Sequence, residues 1–343
     1  MIAWPRHPVL VTGGASFIGS HLVDELLARG AVVRVADDLS SGAVENLKPH
    51  LESGRIEFIQ GDLRDPTLAR RSTRGVQTVF HLAAAHGGRG YVDLHQAACA
   101  ENLLLDGVVF KACRETQVEK IVYASSGCVY PNYLQEDPDK ILHLTEEMVG
   151  PPFDADNVYG WVKLMGELTL KAFTKELGLK SASCRYFTVY GPRGHENHAV
   201  IAMIARAFLK QNPFVVWGTG KQVRNWTYIA DIVSGTLRAA EKIDDGTAVN
   251  LGTMERVTVL DAVNKVLRST GHQAPLEFHP EMPTGPYNRV ADNRLAKELL
   301  GWEPKVSFDE GLRRTIDWYF SSKDPARLRK DFNRLLTERG VRE

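Results

Sequence analysis

The chain has 343 residues, 43% hydrophobic and 24% charged, a composition typical of a globular protein with a large core. Its 42 Lys and Arg residues balance its 42 Asp and Glu residues, so bulk charge gives no support for nucleic-acid binding. No run of about 18 apolar residues is present and the N-terminus lacks the apolar region of a signal peptide, which predicts a cytoplasmic protein without a membrane span.

Short apolar, β-branched runs alternate with amphipathic stretches through the first half of the chain. The predicted strands are 9–12, 32–36, 56–60, 78–82, 120–125 and 181–187, and the clearest predicted helices are 18–29, 97–115 and 158–177. This alternation predicts an α/β fold, a Rossmann-type doubly wound parallel sheet. After residue 187 the pattern loosens, which indicates a smaller C-terminal substrate-binding lobe.

Four segments follow from this pattern. Residues 1–187 form the predicted cofactor domain, to which 228–253 return, and residues 188–227 with 254–321 form the predicted substrate lobe. Residues 322–343 combine Arg and Lys with apolar residues at helical spacing, and they are interpreted as a solvated surface helix. The four cysteines lack a Cys-x-x-Cys pair, so no metal site is predicted and free thiols are expected.

The stretch "VLVTGGASFIGSHL" places glycines directly after the first strand and at the start of a helix. Gly13 provides a tight turn, and the helix start offers N–H groups and a positive dipole end to a pyrophosphate. Asp37 ends the second strand 24 residues later, where a carboxylate suits the hydroxyls of an adenosine ribose. The pattern predicts a dinucleotide site that prefers NAD to NADP.

With the further motifs "GDLRD", "HLAA", "YGWVK" and "RYFTVYGPR", the sequence resembles the extended short-chain dehydrogenase/reductases that act on nucleotide sugars. The resemblance covers about residues 8–320 and implies NAD as cofactor and a nucleotide-diphosphate sugar as substrate. The implied cofactor-binding residues are Gly13, Ser16, Phe17, Ile18, Gly19, Asp37, Asp38, Asp62, Leu63, Leu82, Ala83, Ala84, Tyr159, Lys163 and Phe187. Ser16 departs from the family, which usually has glycine there.

Tyr159 and Lys163 are four residues apart, so a helix presents both on one face. Lowering the pKa of a tyrosine from about 10 to near 7 costs roughly 4 kcal/mol, which Lys163 and a positive nicotinamide ring would supply. The resemblance implies that Tyr159 removes the proton of a sugar C4 hydroxyl while the hydride passes to NAD. Ser126, at the end of a strand, would hydrogen-bond the same hydroxyl.

Cys128, in "SSGCVYP", is the fourth implied catalytic residue. A cysteine followed by Val-Tyr-Pro, together with "AAAHGGRGYV", most resembles the GDP-mannose 3,5-epimerases, in which the thiol is an acid/base on a 4-keto sugar. The lysine that those enzymes use on the opposite ring face is missing here, and His86, His195 and His198 are the substitutes on offer.

The implied substrate-binding residues are Gly88, Ser126, Thr188, Asn197, Arg224 and Arg289, the two arginines being suited to a diphosphate. The resemblance also implies a homodimer formed through the helices near 97–115 and 158–177. The leading hypothesis is an NAD-dependent nucleotide-sugar epimerase. Epimerisation at C3/C5 with Cys128, simple C4 epimerisation, dehydration and a non-catalytic NAD-binding role remain open.

Overall fold

The structure is a computed structural model that describes residues 2–339. Its strands are β1 (Pro8–Thr12), β2 (Val32–Asp37), β3 (Ile56–Gln60), β4 (Thr78–His81), β5 (Lys120–Ser126), β6 (Lys180–Tyr186), β7 (Val189–Tyr190), β8 (Phe214–Trp217), β9 (Val223–Arg224), β10 (Thr227–Tyr228), β11 (Asp245–Leu251), β12 (Val257–Thr258), β13 (Leu276–His279) and β14 (Asn288–Arg289). Its helices are α1 (Phe17–Ala28), α2 (Lys48–Glu52), α3 (Pro66–Thr73), α4 (Arg89–Leu94), α5 (Gln96–Ala100), α6 (Asn102–Glu115), α7 (Asn157–Leu177), α8 (Ala199–Phe208), α9 (Ile229–Lys242), α10 (Val259–Thr270), α11 (Arg294–Leu300), α12 (Phe308–Ser322) and α13 (Pro325–Leu335).

Seven parallel strands form the central sheet in the order β11-β6-β5-β4-β1-β2-β3. Its inner strands carry apolar side chains on both faces because helices cover both, and Val9, Leu10 and Val11 of β1 are fully buried. The direction of the winding reverses between β1 and β4. Ligands of such sheets bind beyond the carboxyl ends of the strands at this reversal. The predicted Rossmann-type sheet is confirmed.

The six predicted strands all form within one residue of their expected limits, whereas the predicted helix 97–115 is divided into α5 and α6. The division lies at Glu101, whose carbonyl accepts from Leu104 N–H three residues later, the spacing of a tighter turn. Asn102 follows at once and bonds to the backbone of Ala85, at 2.6 Å and 3.0 Å. The break therefore connects this helical region to the loop after β4.

The residues after β6 build smaller sheets beside the carboxyl ends of the main one. These are the pair β13-β8, the three-stranded sheet β12-β9-β14 and the pair β10-β7. β11 instead adds to the central sheet beside β6, with its neighbour α9 packed against β6. One large apolar cluster runs from β1 into α8 and α12, so the smaller sheets are packed onto the main one. The proposed domain limits stay a prediction.

The last helix, α13, differs from the solvated surface helix expected there. Leu328, Phe332 and Leu336 are buried, and the Phe332 ring lies 5.7 Å from the guanidinium of Arg206 on α8. The apolar residues of α13 are therefore buried against the rest of the protein, including α8, a contact that the sequence alone does not reveal. Within residues 2–339, no helix has the length and apolar character needed to cross a membrane.

Candidate active site

A cavity of about 590 Å³ opens at the carboxyl ends of β1, β4 and β5, between the central sheet and the smaller sheets. This volume is within the usual range of ligand sites, roughly 300–1,000 Å³. Its wall includes all the predicted cofactor, catalytic and substrate residues, from Gly13 in the turn after β1 to Arg289 on β14. The topology thus brings together residues that are far apart in the chain: Arg89 contacts Asp156, 67 residues later, and Ser41 contacts Arg339, 298 residues later.

The turn between β1 and α1 has the shape that a dinucleotide phosphate requires. Gly13 has a φ of +70°, and a Cβ there would lie 2.9 Å from the backbone nitrogen of Ala83. The first turn of α1, which contains Phe17, Ile18 and Gly19, leaves N–H groups without helical partners. These donors and the close backbone approach fit the pyrophosphate of NAD.

Ser16 is tolerated in this turn although the family usually has glycine. Its φ of −84° and ψ of −179° are ordinary for any residue, so no glycine is needed. Its hydroxyl lies 3.2 Å from the hydroxyl of Ser41, in the loop after β2. The side chain therefore extends along the cavity wall toward that loop.

The ends of β2 and β3 carry the acidic residues predicted for the adenosine half. Asp37 accepts hydrogen bonds from Ala15 N–H at 2.9 Å and Leu39 N–H at 2.8 Å, and burial raises its pKa despite these bonds. Asp62 is paired with Arg64 at 2.6 Å, and its hydrogen bonds to Arg64 lower its pKa. Asp38 and Leu63 also line the cavity.

Beyond β4, Leu82, Ala83 and Ala84 continue along the cavity wall, and Phe187 closes it after β6. The hydroxyl of Thr12 accepts from the N–H groups of Leu82 and Ala83, each at 3.1 Å, and this holds the loop against β1. The predicted cofactor residues thus form one continuous surface. Their individual roles stay predictions.

Tyr159 and Lys163 lie on α7 and are both buried, with Ser126 at the end of β5 beside them. The Ser126 hydroxyl lies close enough to Tyr159 to lower the pKa of the phenol. The Lys163 ammonium lies 5.8 Å from the Tyr159 ring centroid and 4.5 Å from that of Tyr123. Phenol, hydroxyl and ammonium therefore share one small volume.

The pKa of Tyr159 differs from the expected direction. Burial raises it well above its ordinary value, with Cys128 and Cys99 adding to the effect, and only the Ser126 hydrogen bond opposes them. Burial also lowers the pKa of Lys163, against the nearby carboxylate of Asp106. Desolvation thus outweighs the attraction that the sequence argument assigned to Lys163.

A buried polar network lies below Lys163, and none of its contacts was predicted from the sequence. The Thr12 hydroxyl and His81 Nδ1 are 2.7 Å apart, and His81 Nε2 is 3.0 Å from an Asp106 oxygen. The Tyr123 hydroxyl donates to the other Asp106 oxygen at 2.6 Å. The Asp106 carboxylate supplies the negative charge that a buried ammonium needs. In the sequence, this network is indicated only by Asp106, a single Asp between apolar residues of α6.

Cys128 lies in the 3₁₀ turn Gly127–Val129 that follows β5. A Cβ on Gly160 would lie 2.2 Å from the Cys128 carbonyl oxygen, so the residue after Tyr159 must be glycine for this turn to pack on α7. The Arg289 guanidinium donates to the Cys128 sulfur at 3.2 Å. The sulfur is therefore held at the cavity wall beside a positively charged group.

Arg289 was predicted to bind a diphosphate, but its guanidinium also donates to several protein groups. Its Nε donates to Gln135 at 2.9 Å and its Nη2 to Asp156 at 2.8 Å. Arg89 donates to the same Asp156 oxygen at 2.7 Å. The site residues predicted from the sequence do not include Arg89, Gln135 and Asp156. Arg89 stands inside the quoted "AAAHGGRGYV", and Asp156 precedes α7 directly.

Arg224 adds a third guanidinium to this wall. It donates to the carbonyls of Val223 at 2.8 Å and Thr284 at 2.7 Å. Burial, Arg289 and Arg89 lower its pKa to about 9, although part of the side chain faces the cavity. Arg89 and Arg289 share the carboxylate of Asp156, whereas Arg224 donates only to backbone carbonyls, so the three neighbouring guanidinium groups leave positive charge that suits an anionic ligand.

The three candidate histidines lie together in the cavity wall. The His86 ring stacks on Tyr159, with centroids 4.6 Å apart, and lies 5.7 Å from the His198 ring. Burial lowers the pKa of His195 and lowers that of His198 to about 4. The pKa of His86, whose side chain is partly exposed in the cavity, is lowered by its place in the wall and by the neighbouring His198, Lys163 and Arg339. Only His86 touches the phenol.

The remaining predicted substrate residues are also in the cavity wall. Gly88 begins α4 and lies against the backbone of Asn197. The Asn197 amide donates to the carbonyl of Glu338 at 2.8 Å, and its own oxygen is buried with no partner among residues 2–339. Thr188 uses its carbonyl to accept from Thr227 N–H at 2.9 Å. Their contacts with substrate stay predictions.

Comparison with known proteins identifies the family. The NAD dependent epimerase/dehydratase family model matches residues 9–252. GDP-mannose 3,5-epimerase 1 of Oryza sativa subsp. japonica is 32% identical over 92% of this chain and 82% of its own length. An uncharacterized UDP-glucose epimerase of Bacillus subtilis is 35% identical over 92% of this chain and 98% of its own length. The solved complex of Thermus thermophilus UDP-glucose 4-epimerase with NAD has a TM-score of 0.79 and 30% identity, covering 92% of this chain and 100% of that one. The chain therefore belongs to the NAD dependent epimerase/dehydratase family, and its cofactor is NAD.

Proposed function

We propose that the protein is a nucleotide-sugar epimerase that works through a transient 4-keto sugar and uses Cys128 to move a proton at C3 or C5. The observation that carries this proposal is the position of the thiol. Cys128 faces the same cavity as Tyr159, is bound by Arg289, and is tied to the tyrosine helix through Gly160.

Tyr159, Ser126 and Lys163 perform the first step at the sugar C4 hydroxyl. The chemistry that NAD supplies when bound is reversible acceptance of a hydride from C4. Tyr159 takes the hydroxyl proton, Ser126 hydrogen-bonds the phenol, and Lys163 supplies positive charge beside it. Because burial and the neighbouring Cys128, Cys99 and Asp106 keep the pKa of Tyr159 high, Lys163 has to act together with the positive charge of the oxidised cofactor.

Cys128 performs the second step. A ketone at C4 acidifies the protons on C3 and C5, and a sulfur beside a guanidinium is a suitable acceptor or donor for them. Inversion needs another group on the opposite ring face. We assign that role to His86, since it faces the cavity and its ring stacks on that of Tyr159.

The three arginines support a nucleotide diphosphate as the charged part of the substrate. Arg89 and Arg289 share the carboxylate of Asp156 and both repel Arg224, so a ligand with two phosphate charges would relieve the mutual repulsion of the three groups. Planar guanidinium donors also match phosphate oxygens. Incubation with a panel of nucleotide sugars identifies the nucleotide base and the sugar.

The deciding experiment incubates the protein with UDP-, GDP-, dTDP-, CDP- and ADP-sugars in deuterated buffer and follows the products by mass and NMR. Deuterium at C3 or C5 is expected. The Cys128→Ser variant should lose this incorporation, while Cys113→Ala, which removes a thiol from the buried face of α6, should keep it. Deuterated product formed equally well by Cys128→Ser would contradict the assignment.

Simple C4 epimerisation is the second candidate, favoured by the similarity to the named UDP-glucose epimerase of Bacillus subtilis. In that reaction the ketosugar turns over and is reduced on its other face, so no carbon-bound deuterium enters the product. Cys128→Ser would then leave the rate nearly unchanged. Loss of one water from the sugar would instead reveal a dehydratase.

A homodimer through α6 and α7 is also proposed. Large apolar side chains on these helices are strongly exposed, from 43% to 57%: Leu103, Leu104, Trp161, Met165 and Leu168. A contiguous apolar patch of this kind marks an interaction surface, and a second copy would cover it as a four-helix bundle. Light scattering should give a dimer mass for the native protein and for Phe278→Glu, an exposed residue on β13, but a monomer mass for Leu104→Glu with Met165→Glu.

Location in the cytoplasm is a further part of the proposal. The cysteines Cys99, Cys113, Cys128 and Cys184 are free thiols, and three of them are buried. Free thiols are usual in a reducing compartment. Fractionation of the source cells would test it.

A further inference from the structure

Residues 336–339, which follow α13, run along the mouth of the cavity, and we refer to them as the closing segment. Leu336 is buried and lines the cavity. The Glu338 carbonyl accepts from Asn197 Nδ2 at 2.8 Å, and its carboxylate lies 3.1 Å from His95 Nε2. Packing and two polar contacts thus fix the segment in place.

Arg339 extends from this segment into the cofactor side of the cavity. Its Nη2 donates to the Ser41 hydroxyl at 3.0 Å and to the Ala84 carbonyl at 2.9 Å. The guanidinium also lies 5.9 Å from the Tyr91 ring centroid. Ser41 in turn contacts Ser16 at the start of α1, so Arg339 joins the loops after β2 and β4 beside the phosphate-binding turn.

The charge of Arg339 lacks a matching carboxylate. Both contacts of Nη2 are to neutral oxygens, and among residues 2–339 no carboxylate lies within ion-pair distance of this guanidinium. Its Nε is buried and has no hydrogen-bond partner among the same residues. A buried donor without a partner is costly, and a charged one more so. The unused donor and charge therefore point to an anion.

We propose that Arg339 is a cofactor-binding residue that donates to the pyrophosphate of NAD, so that the closing segment completes the cofactor site. The pyrophosphate is preferred to the substrate diphosphate because Ser41, Ala84 and Ser16 belong to the cofactor side, whereas Arg89, Arg224 and Arg289 form the other side. The proposal rests on NAD binding alone and does not depend on which sugar is converted.

The test measures how fast bound NAD exchanges for labelled NAD in the holoenzyme, without substrate. Arg339→Ala should release NAD about 10- to 100-fold faster, the loss expected for a charge-assisted hydrogen bond. Arg339→Lys, which keeps the charge without the planar fork, should fall between. Arg334→Ala, at an exposed position of α13, should match the native protein, and thermal unfolding should show that every variant is folded.

Ligand fragments separate the possible outcomes. Displacement by ADP-ribose should weaken in Arg339→Ala, while displacement by adenosine, which lacks phosphates, should not. Unchanged or slower NAD exchange would overturn the proposal, the slower rate meaning that Arg339 obstructs the site. A loss confined to binding of UDP or GDP would also overturn it and assign the guanidinium to the substrate diphosphate.

Discussion

The two sides of the cavity are built in different ways. The cofactor side consists of strand ends, a helix start and backbone donors, and its acidic residue Asp37 is satisfied by two backbone N–H groups. The substrate side consists of charged side chains, with Arg89, Arg224 and Arg289 around Asp156. The cofactor side relies mainly on backbone donors and adds the guanidinium of Arg339, whereas the substrate side concentrates three guanidinium groups whose repulsion an anion would relieve.

The largest expected effect comes from removing the phenol hydroxyl that links the two sides. Tyr159→Phe should lower kcat about 10²- to 10⁴-fold because the proton acceptor is lost. NAD exchange should remain within about twofold of native, since phosphate and ribose contacts dominate cofactor binding. Steady-state rates and the exchange assay check this. A variant with near-native kcat would contradict the role of Tyr159 in either form of epimerisation.

Asp156→Asn should have the next largest effect, and it should act on the substrate side alone. Losing the carboxylate leaves the buried Arg289 without its ion-pair partner, whereas the part-exposed Arg89 keeps Asp93, so the unfolding free energy should fall by about 3 kcal/mol. Denaturant unfolding measures the loss. The matched control Asp38→Asn changes an acid whose side chain bonds only a local backbone N–H, and it should cost far less.

The same residue gives a pH prediction. Arg289 and Arg89 hold the pKa of Asp156 below its ordinary value of 3.8 in the folded protein, against its burial. A carboxylate with a depressed folded pKa stabilises the fold fully above its unfolded pKa and loses that contribution as pH falls through the folded pKa. Unfolding free energy should therefore fall below about pH 4 in the native protein, and less steeply in Asp156→Asn.

Arg224→Met should separate binding from stability. The KM for the nucleotide sugar should rise roughly 10- to 100-fold because a phosphate donor is lost. The unfolding free energy should stay equal or rise by about 1 kcal/mol, because a charge repelled by Arg289 and Arg89 is gone. A large loss of stability would show that Arg224 is a structural residue instead.

The smallest effect is expected on the cofactor side from Ser16→Gly. The Ser16 backbone is in an ordinary extended conformation and its side chain does not cap α1, so the change removes only the contact with Ser41. Unfolding free energy should fall by no more than about 0.5 kcal/mol. NAD exchange should stay within about threefold of native. A much larger change would mean that the Ser16 hydroxyl itself binds phosphate.

The contrast between the two sides also explains what sequence reasoning could predict. The sheet, the turn at Gly13 and the Tyr159/Lys163 pair follow from short local patterns, and the strand limits were right within one residue. The cluster at Asp156 joins Arg89, 67 residues before it, to Arg289, 133 residues after it, and no local pattern signals such pairing. The contact between Ser41 and Arg339 spans 298 residues.

The pKa of Tyr159 could not be predicted either, for a different reason. Spacing places Lys163 near the phenol, but it does not report how deeply both groups are buried. In the folded protein desolvation is the dominant influence on each. The Asp106 network beneath Lys163 compensates a burial that the sequence does not display.

Because Gly160 has no side chain, it affects which substitutions at residue 128 the site can accept. Because the turn that carries residue 128 rests directly on the tyrosine helix, the two reactive positions form one rigid unit. Exchanging the functional group at 128 would leave the phenol hydroxyl where it is. A substitution at 128 alone can therefore change which side chain faces the cavity beside Tyr159, whereas the proposed inversion of a ring carbon also depends on the group on the opposite face.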